Sequence, residues 1–220
     1  MSFFEAPPPP PEPARQPPLP WEGPPNNILG VVVPLDLVLA RSAKAVVTLG
    51  SLTAYPSGFE FEYLVRCRDE EIGQLLPEHL HGRRLGSAGD ELPAELFRFG
   101  IEFGDGARVT SVQPRLPFDR SDVHGPVMVQ RGGGGSFERW QGNWWVWPLP
   151  PAGPLAFVCE WPAADLSLMR AETDAAVLHE AASRAVTLWE DAAPSGSSDF
   201  GYTVIQSVGA VAAPEERPES

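Results

Sequence analysis

Apolar and polar residues alternate along most of the body of the chain. The clearest alternation places Phe59, Phe61, Tyr63, Val65 and Cys67 between glutamate, leucine and arginine residues. Successive side chains of a β-strand point to opposite faces of its sheet, so a period of two predicts a strand with one buried face. The same pattern predicts further strands at residues 31–39, 44–55, 96–103, 107–112, 126–131, 137–147 and 155–161.

One segment near the C-terminus has the period of an amphipathic helix. Leu178, Ala181, Ala182 and Ala185 recur at spacings of three and four, which places them on one side of a helix. The pattern predicts a helix over residues 174–189, with Trp189 as the last member of its apolar stripe.

Strands joined by turns and followed by one helix predict a mainly-β fold. We expect an antiparallel β-sandwich of about seven to eight strands with one C-terminal amphipathic helix. Residues 165–172, between the last strand and the helix, fit either a loop or a short further strand. The long connections 69–93 and 113–125 have the length of functional or disordered loops, and the charges and glycines of the first favour disorder.

The start of the chain is rich in proline, which occupies most of the positions from residue 7 to residue 25. Proline lacks a backbone N–H and fixes φ near −65°, so this stretch cannot form a helix or a central strand. We expect this stretch to be extended polyproline II, disordered or docked on the domain. The domain organisation is then a proline-rich tail at 1–25, a β-sandwich domain with its helix at 26–190, and an acidic disordered tail at 191–220.

The formal net charge of −13 changes which partners are expected. Such a chain repels phosphate backbones and anionic lipid surfaces, so we expect no nucleic-acid partner and no membrane. The sequence shows neither a signal peptide nor a run of about 18 apolar residues. Cys67 and Cys159 are then expected to be free, buried thiols in a cytoplasmic protein.

The sequence offers no motif that carries a known chemistry. His79 and His81 could supply two metal ligands, but a metal site needs a third and a fourth, so we expect no metal and no cofactor. The four glycines at 132–135 lie between strands and indicate a hairpin loop rather than a phosphate site. Strand glutamates such as Glu102 are interpreted as solvated charges, and no catalytic residue is assigned.

The candidate binding residues are four of the seven tryptophans, which lie within eight positions: Trp140, Trp144, Trp145 and Trp147. In a strand, Trp145 and Trp147 share one face while Trp144 and Val146 take the other, so both faces are apolar. Aromatic rings on a sheet can hold sugars, bases or a polyproline ligand. Alternatively, Trp145 and Trp147 enter the core while Trp144 lies beneath the C-terminal helix.

A second apolar face on the tryptophan strand requires a cover. The helix at 174–189 is the preferred candidate. The other candidate in this chain is part of the stretch 17–25, including Trp21, lying against Trp140, Trp144 or Trp147.

Three segments resemble a family of uncharacterised actinobacterial proteins: Gly58-Phe59-Glu60-Phe61, the stretch 145–151 and the stretch 153–162. The resemblance spans about residues 20–189 and implies a single compact domain from an actinobacterial source. It implies no activity and no functional residue.

The preferred function class is a non-enzymatic binding or protein-interaction module, with its oligomeric state open. The alternatives are a small-ligand module that binds, for example, a carbohydrate on the tryptophan strand, or an enzyme with a site built from the two long loops. A flat apolar patch would favour the interaction module. A pocket with two convergent carboxylates, or with a histidine–carboxylate pair, would favour the enzyme.

Overall fold

The computed structural model describes residues 19–80, 92–112, 123 and 125–190. These residues form twelve strands and two α-helices. The strands are β1 Ile28–Leu29, β2 Val31–Val33, β3 Leu37–Arg41, β4 Ala45–Tyr55, β5 Gly58–Cys67, β6 Arg98–Glu102, β7 Arg108–Thr110, β8 Val127–Gly135, β9 Arg139–Trp147, β10 Pro154–Trp161, β11 Leu166–Asp174 and β12 Val186–Thr187. The helices are α1 Glu70–Leu80 and α2 Ala176–Ala182, and a 3₁₀ turn spans Pro162–Ala164.

The strands form three antiparallel sheets. The large sheet has the order β2-β4-β5-β9-β8, with β3 also paired to β4, and the small sheet has the order β11-β10-β6-β7. The third sheet is the two-stranded pair β1-β12. The prediction of a mainly-β chain with antiparallel sheets is therefore confirmed. The strands outnumber the prediction partly because the segment 31–39 is divided at Pro34, which cannot donate to a sheet ladder.

Aromatic rings join the inner faces of the two larger sheets. Strands β4 and β5 form a hairpin, with Tyr55 paired to Gly58 across the turn. On β5 the alternation turns Phe61 towards the small sheet, where its ring centroid lies 5.2 Å from that of Phe99 and 5.8 Å from that of Phe157. Such ring pairs each add about 0.5–1.5 kcal/mol to the burial of their area.

The C-terminal helix is shorter than predicted. Residues up to Asp174 extend β11 along β10, and the helix α2 covers only Ala176–Ala182. The Asp174 carboxylate accepts the N–H of Ala176 at 2.8 Å and so marks the start of the helix. Beyond the helix, Val186–Thr187 pairs with β1, as expected for β-branched residues that meet a free strand.

Residues 70–80 contradict the prediction of a disordered connection over 69–93. Helix α1 begins directly after Asp69, whose carboxylate accepts the N–H of Ile72 at 3.2 Å. The side chains of Ile72 and Leu76 are buried against the core. An amphipathic helix thus occupies the part of this connection that the structure describes.

Residues 81–91, most of 113–125, and both chain ends before residue 19 and after residue 190 lie outside the described residues. The predicted domain limits at 26 and 190 stay predictions. Within the described residues, no helix has both the length and the apolar character needed to cross a bilayer.

Candidate functional site

The pairing of β9 with β5 sets which tryptophan faces the core. Trp144 lies opposite Phe61 and therefore shares its inward face, and Trp140, four positions earlier, does the same. Trp145 lies opposite Glu60 on the outer face of the large sheet. The prediction that Trp145 enters the core while Trp144 lies beneath the helix is therefore wrong. The pairing with the aromatic core residues of β5 decides which face of β9 points inward, because a shift of one residue would exchange the two faces.

Three of the four candidate tryptophans are enclosed by protein. Trp140 is 5%, Trp144 7% and Trp145 0% exposed, whereas Trp147 is half-buried. A sugar or a base stacks on an open ring face, and the three buried rings offer none. They contribute to the packing of the protein, and a binding role for Trp147 stays a prediction.

Trp144 belongs to a buried cluster that contains two polar atoms. Its ring stacks on that of Tyr63 with centroids 6.5 Å apart, and the Tyr63 ring lies over Gly142 of β9. Burial raises the pKa of Tyr63 well above its usual value, and the nearby Trp144 indole lowers it by less. Within the described part of the chain, neither the Tyr63 hydroxyl nor the Trp144 indole nitrogen has a hydrogen-bond partner of good geometry.

The chain's own N-terminal segment covers Trp145 on the outer face. The indole N–H of Trp145 donates to the carbonyl of Pro20 at 3.1 Å. The Tyr55 ring meets the indole edge-on, with centroids 5.6 Å apart. The preferred cover, the C-terminal helix, lies elsewhere, because α2 packs against β4 and β2. Residues of the stretch 17–25 therefore cover Trp145. Contacts of this stretch with Trp140, Trp144 or Trp147 stay predictions.

A separate candidate site lies on the outer face of the small sheet, where a concavity of about 380 Å³ is open to solvent. The strand register defines its middle row, because Val158 lies opposite Gly100 and Gly100 lies opposite Thr110. Gly100 forms the floor of this row. A Cβ on Gly100 would lie 2.9 Å from the Val109 carbonyl oxygen, so the closeness of β7 requires glycine here.

One side of the concavity is a cross-strand ion pair. Arg98 and Glu160 lie opposite each other on β6 and β10, with Nη1 and Oε2 2.6 Å apart. The Arg98 guanidinium also donates to the carbonyls of Leu92 and Pro93 at 2.8 and 3.0 Å. Arg98 thereby holds the chain that enters β6 as well as the rim of the concavity.

The other side is a network around Glu102. Its carboxylate contacts Arg108 at 2.6 Å and Arg170 at 2.9 Å, and Arg170 also reaches Glu172 at 2.8 Å. Arg170 lies on β11, so its side chain crosses the intervening strand β10 to reach Glu102. The hydrogen bond from Arg170, followed by the charges of both arginines, holds the pKa of Glu102 below its usual value.

This arrangement is unsuited to acid–base chemistry. Glu102 and Glu160 line one concavity, as an enzyme site would require, but each is paired with an arginine. A general acid needs a raised pKa, and that of Glu102 is lowered. In the described ranges no three of the residue types that bind metals come together. His81 and the side chain of His79 lie outside those ranges, so the enzyme alternative stays a prediction for the long loops.

Comparison of the chain with family models, with curated proteins and with solved structures found no match in any of the three. The resemblance to actinobacterial proteins stays a prediction.

The concavity was not identified from the sequence. The outward set Arg98, Gly100 and Glu102 is visible in the alternation of its strand, but a single strand does not show which others flank it. The partners Glu160 and Arg170 lie about 60 and 70 positions later in the chain. Their approach depends on the strand order β11-β10-β6, which no local pattern encodes.

Proposed function

We propose that the protein is a non-enzymatic interaction module that binds a partner protein at the concavity of the small sheet. The observation that carries this proposal is an open surface on which apolar residues lie beside ion pairs. Leu168, which lines the concavity, is 67% exposed, and Val158 and Gly100 continue the apolar surface. An apolar centre with a polar rim is the usual anatomy of a protein interface.

The dimensions favour an α-helix of the partner. Arg98 and Glu102 are four residues apart on one strand, so their Cα atoms are separated by about 13 Å. A helix with its side chains is about 10–12 Å wide and fits between these two rows. Lying across the strands, it would set an apolar side chain into the space above Gly100, as in other helix-in-groove interfaces.

The charges do not favour either sign of partner. Arg108 and Arg170 pair with Glu102 and Glu172, so this side of the concavity is balanced in charge, as is the Arg98–Glu160 side. The partner we propose is an amphipathic helix whose apolar stripe contacts Leu168 and Val158. We also infer that the large and small sheets form a β-sandwich, supported by the ring contacts between their inner faces.

A small molecule is the second candidate occupant, because 380 Å³ lies within the range of ligand pockets. The tryptophans do not support the carbohydrate version of this alternative, since three of the four rings are buried.

Site-specific photo-crosslinking tests the proposal. A photoreactive residue at Leu168 should capture one helical segment in host cells, and the same residue at Val38, which is 49% exposed on β3, should not. The captured segment, made as a peptide, should bind the full chain. Leu168→Asp should weaken this binding at least about tenfold, because it replaces an exposed apolar side chain of the concavity with a carboxylate. Val38→Asp, the matched control, should change it less than about twofold.

Two results would contradict the proposal. One is a peptide whose affinity responds equally to the Leu168 and Val38 substitutions. The other is an absence of any protein crosslink together with a bound metabolite in native mass spectrometry that Leu168→Asp removes, which would favour the small-molecule candidate.

A further inference from the structure

Residues 19–22 form a turn that is closed by its own hydrogen bonds. The N–H of Glu22 donates to the carbonyl of Leu19 at 2.9 Å, and the N–H of Leu19 donates to the Glu22 carboxylate at 3.0 Å. Pro20 occupies the second position, where its fixed φ favours a turn. The prediction of polyproline II is therefore wrong for these residues. They form a compact element that requires little further ordering to bind a surface.

The large sheet holds this turn through side chains that donate to its main-chain carbonyls. Trp145 of β9 donates to Pro20 at 3.1 Å, and Arg131 of β8 donates to the carbonyl of Glu22 at 3.0 Å. Arg131 lies at a register shift of β8, between the pairs made by Gln130 and Gly132. Such a bulge re-aims a side chain.

Glycine brings the segment close to the arginine. A Cβ on Gly23 would lie 2.9 Å from the Arg131 guanidinium carbon, so the chain after the turn passes directly over this side chain. The turn and the strand residue Trp145 are 125 positions apart in sequence. The contact is therefore tertiary and is made by two side-chain donors on two neighbouring strands.

We propose that the outer face around Trp145 and Arg131 is a recognition site for a proline-containing turn. Residues 19–22 of this chain fill the site intramolecularly, and a turn of the same chemistry presented in trans displaces them. The apolar indole, the ring of Tyr55 and two donors aimed at carbonyls are the features that such a turn requires. This site lies on the large sheet and is independent of the concavity on the small sheet.

The intramolecular turn should compete with any turn added in trans, since a short tether gives an effective concentration of about millimolar. The probe is a fluorescein-labelled peptide of residues 17–25, and its binding to the full chain is measured by fluorescence anisotropy. Pro20→Gly together with Glu22→Ala weakens the intramolecular turn, because the first loosens the free segment and the second removes its closing carboxylate. We expect the peptide to bind this opened chain about tenfold more tightly than the native chain.

The chain provides a matched control. Pro10→Gly with Glu12→Ala makes the same two changes at the same spacing, ten positions earlier in the proline-rich stretch. This control should leave the peptide affinity within about twofold of that of the native chain. A rise equal to that of the opened chain would overturn the proposal, because it would show a general effect of loosening the N-terminus.

Substitutions on the sheet identify the site. In the opened chain, Arg131→Gln alters an exposed side chain and should weaken peptide binding about two- to tenfold, the usual range for a hydrogen bond. Trp145→Phe keeps an aromatic ring, removes the N–H and should act in the same direction. The proposal would be overturned if Arg131→Gln left the peptide affinity unchanged. It would also be overturned if the opened chain bound no peptide at millimolar concentration. The turn would then be a fixed part of the fold.

Discussion

Two tyrosines of the large sheet should respond oppositely to the same substitution. Tyr63 and Tyr55 lie on β5 and β4, each has a raised pKa, and burial is the first cause for both. Their hydroxyls differ in one respect. The Tyr55 hydroxyl donates to the Glu60 carboxylate at 3.0 Å, whereas that of Tyr63 has no partner of good geometry among the described residues.

The magnitudes follow from these surroundings. A buried hydroxyl without a partner costs about 1–3 kcal/mol, and the nearby Trp144 indole N–H recovers part of that amount. Tyr63→Phe should therefore stabilise the protein by about 1 kcal/mol. Tyr55→Phe removes a hydrogen bond to a carboxylate at a partly buried position, and should destabilise it by about 1 kcal/mol.

Urea unfolding of the full chain at pH 7, followed by tryptophan fluorescence, measures both effects. The slope of the unfolding free energy against urea should be unchanged, so that the midpoint alone moves. The melting temperatures should move in opposite directions by about 2–4 °C each. If Tyr63→Phe destabilises as much as Tyr55→Phe, the buried hydroxyl has a partner, such as an ordered water, and the reasoning is refuted.

Three further predictions concern the small sheet and the thiols. Burial, with a smaller contribution from Asp69, raises the pKa of Cys67 to about 11, and burial raises that of Cys159 to about 12. At pH 8 Cys67 should label about a hundredfold, and Cys159 about a thousandfold, more slowly than a free thiol; faster labelling of Cys159 than of Cys67 would contradict its 2% exposure. Gly100→Val should destabilise by about 1–3 kcal/mol in urea unfolding through its clash with β7, whereas an unchanged midpoint would contradict the close approach. The pKa of Glu102 is lowered in the folded protein, so its ion pairs should stabilise the fold fully at pH 7 and progressively less as the pH falls below about 4.5. In urea titrations, Glu102→Gln should therefore destabilise the protein at pH 7 but not at pH 2. A destabilisation that persists at pH 2 would contradict the ion-pair account.

Local alternation was sufficient to predict most of the sheets. Each strand predicted in the body of the chain corresponds to at least one observed strand, because a buried face and a solvent face leave a period of two in the sequence. The predicted bounds of the C-terminal helix were wrong for a related reason. Residues 174 and 186–187 are polar or β-branched, and each pairs with a strand outside the predicted helix, β10 for the first and the distant β1 for the second. Tertiary pairing therefore decided between helix and strand there.

The tryptophan strand shows where local reasoning stops. The alternation correctly separates Trp144 from Trp145, but it assigns neither to a face, since a strand with two apolar sides fits either way. The assignment comes from the neighbour β5, whose Phe61 contacts the small sheet. Composition points to the stretch 17–25 as one candidate cover of the tryptophan strand, but it predicts neither the turn at 19–22 nor the contact with Trp145.

The outer faces of the two larger sheets differ in what covers them. On the large sheet, the apolar part around Trp145 is covered by the turn at 19–22, and Glu60 and Glu62 of β5 lie towards the same side. On the small sheet, the floor at Gly100 and Val158 has no cover among the described residues, and its charges pair with each other around it. In the interaction that we propose, an apolar side chain of the partner gains from contact with this floor, while the ion pairs remain satisfied around it. A general acid, by contrast, requires a raised pKa, so the paired Glu102 supports the interaction that we propose rather than acid catalysis.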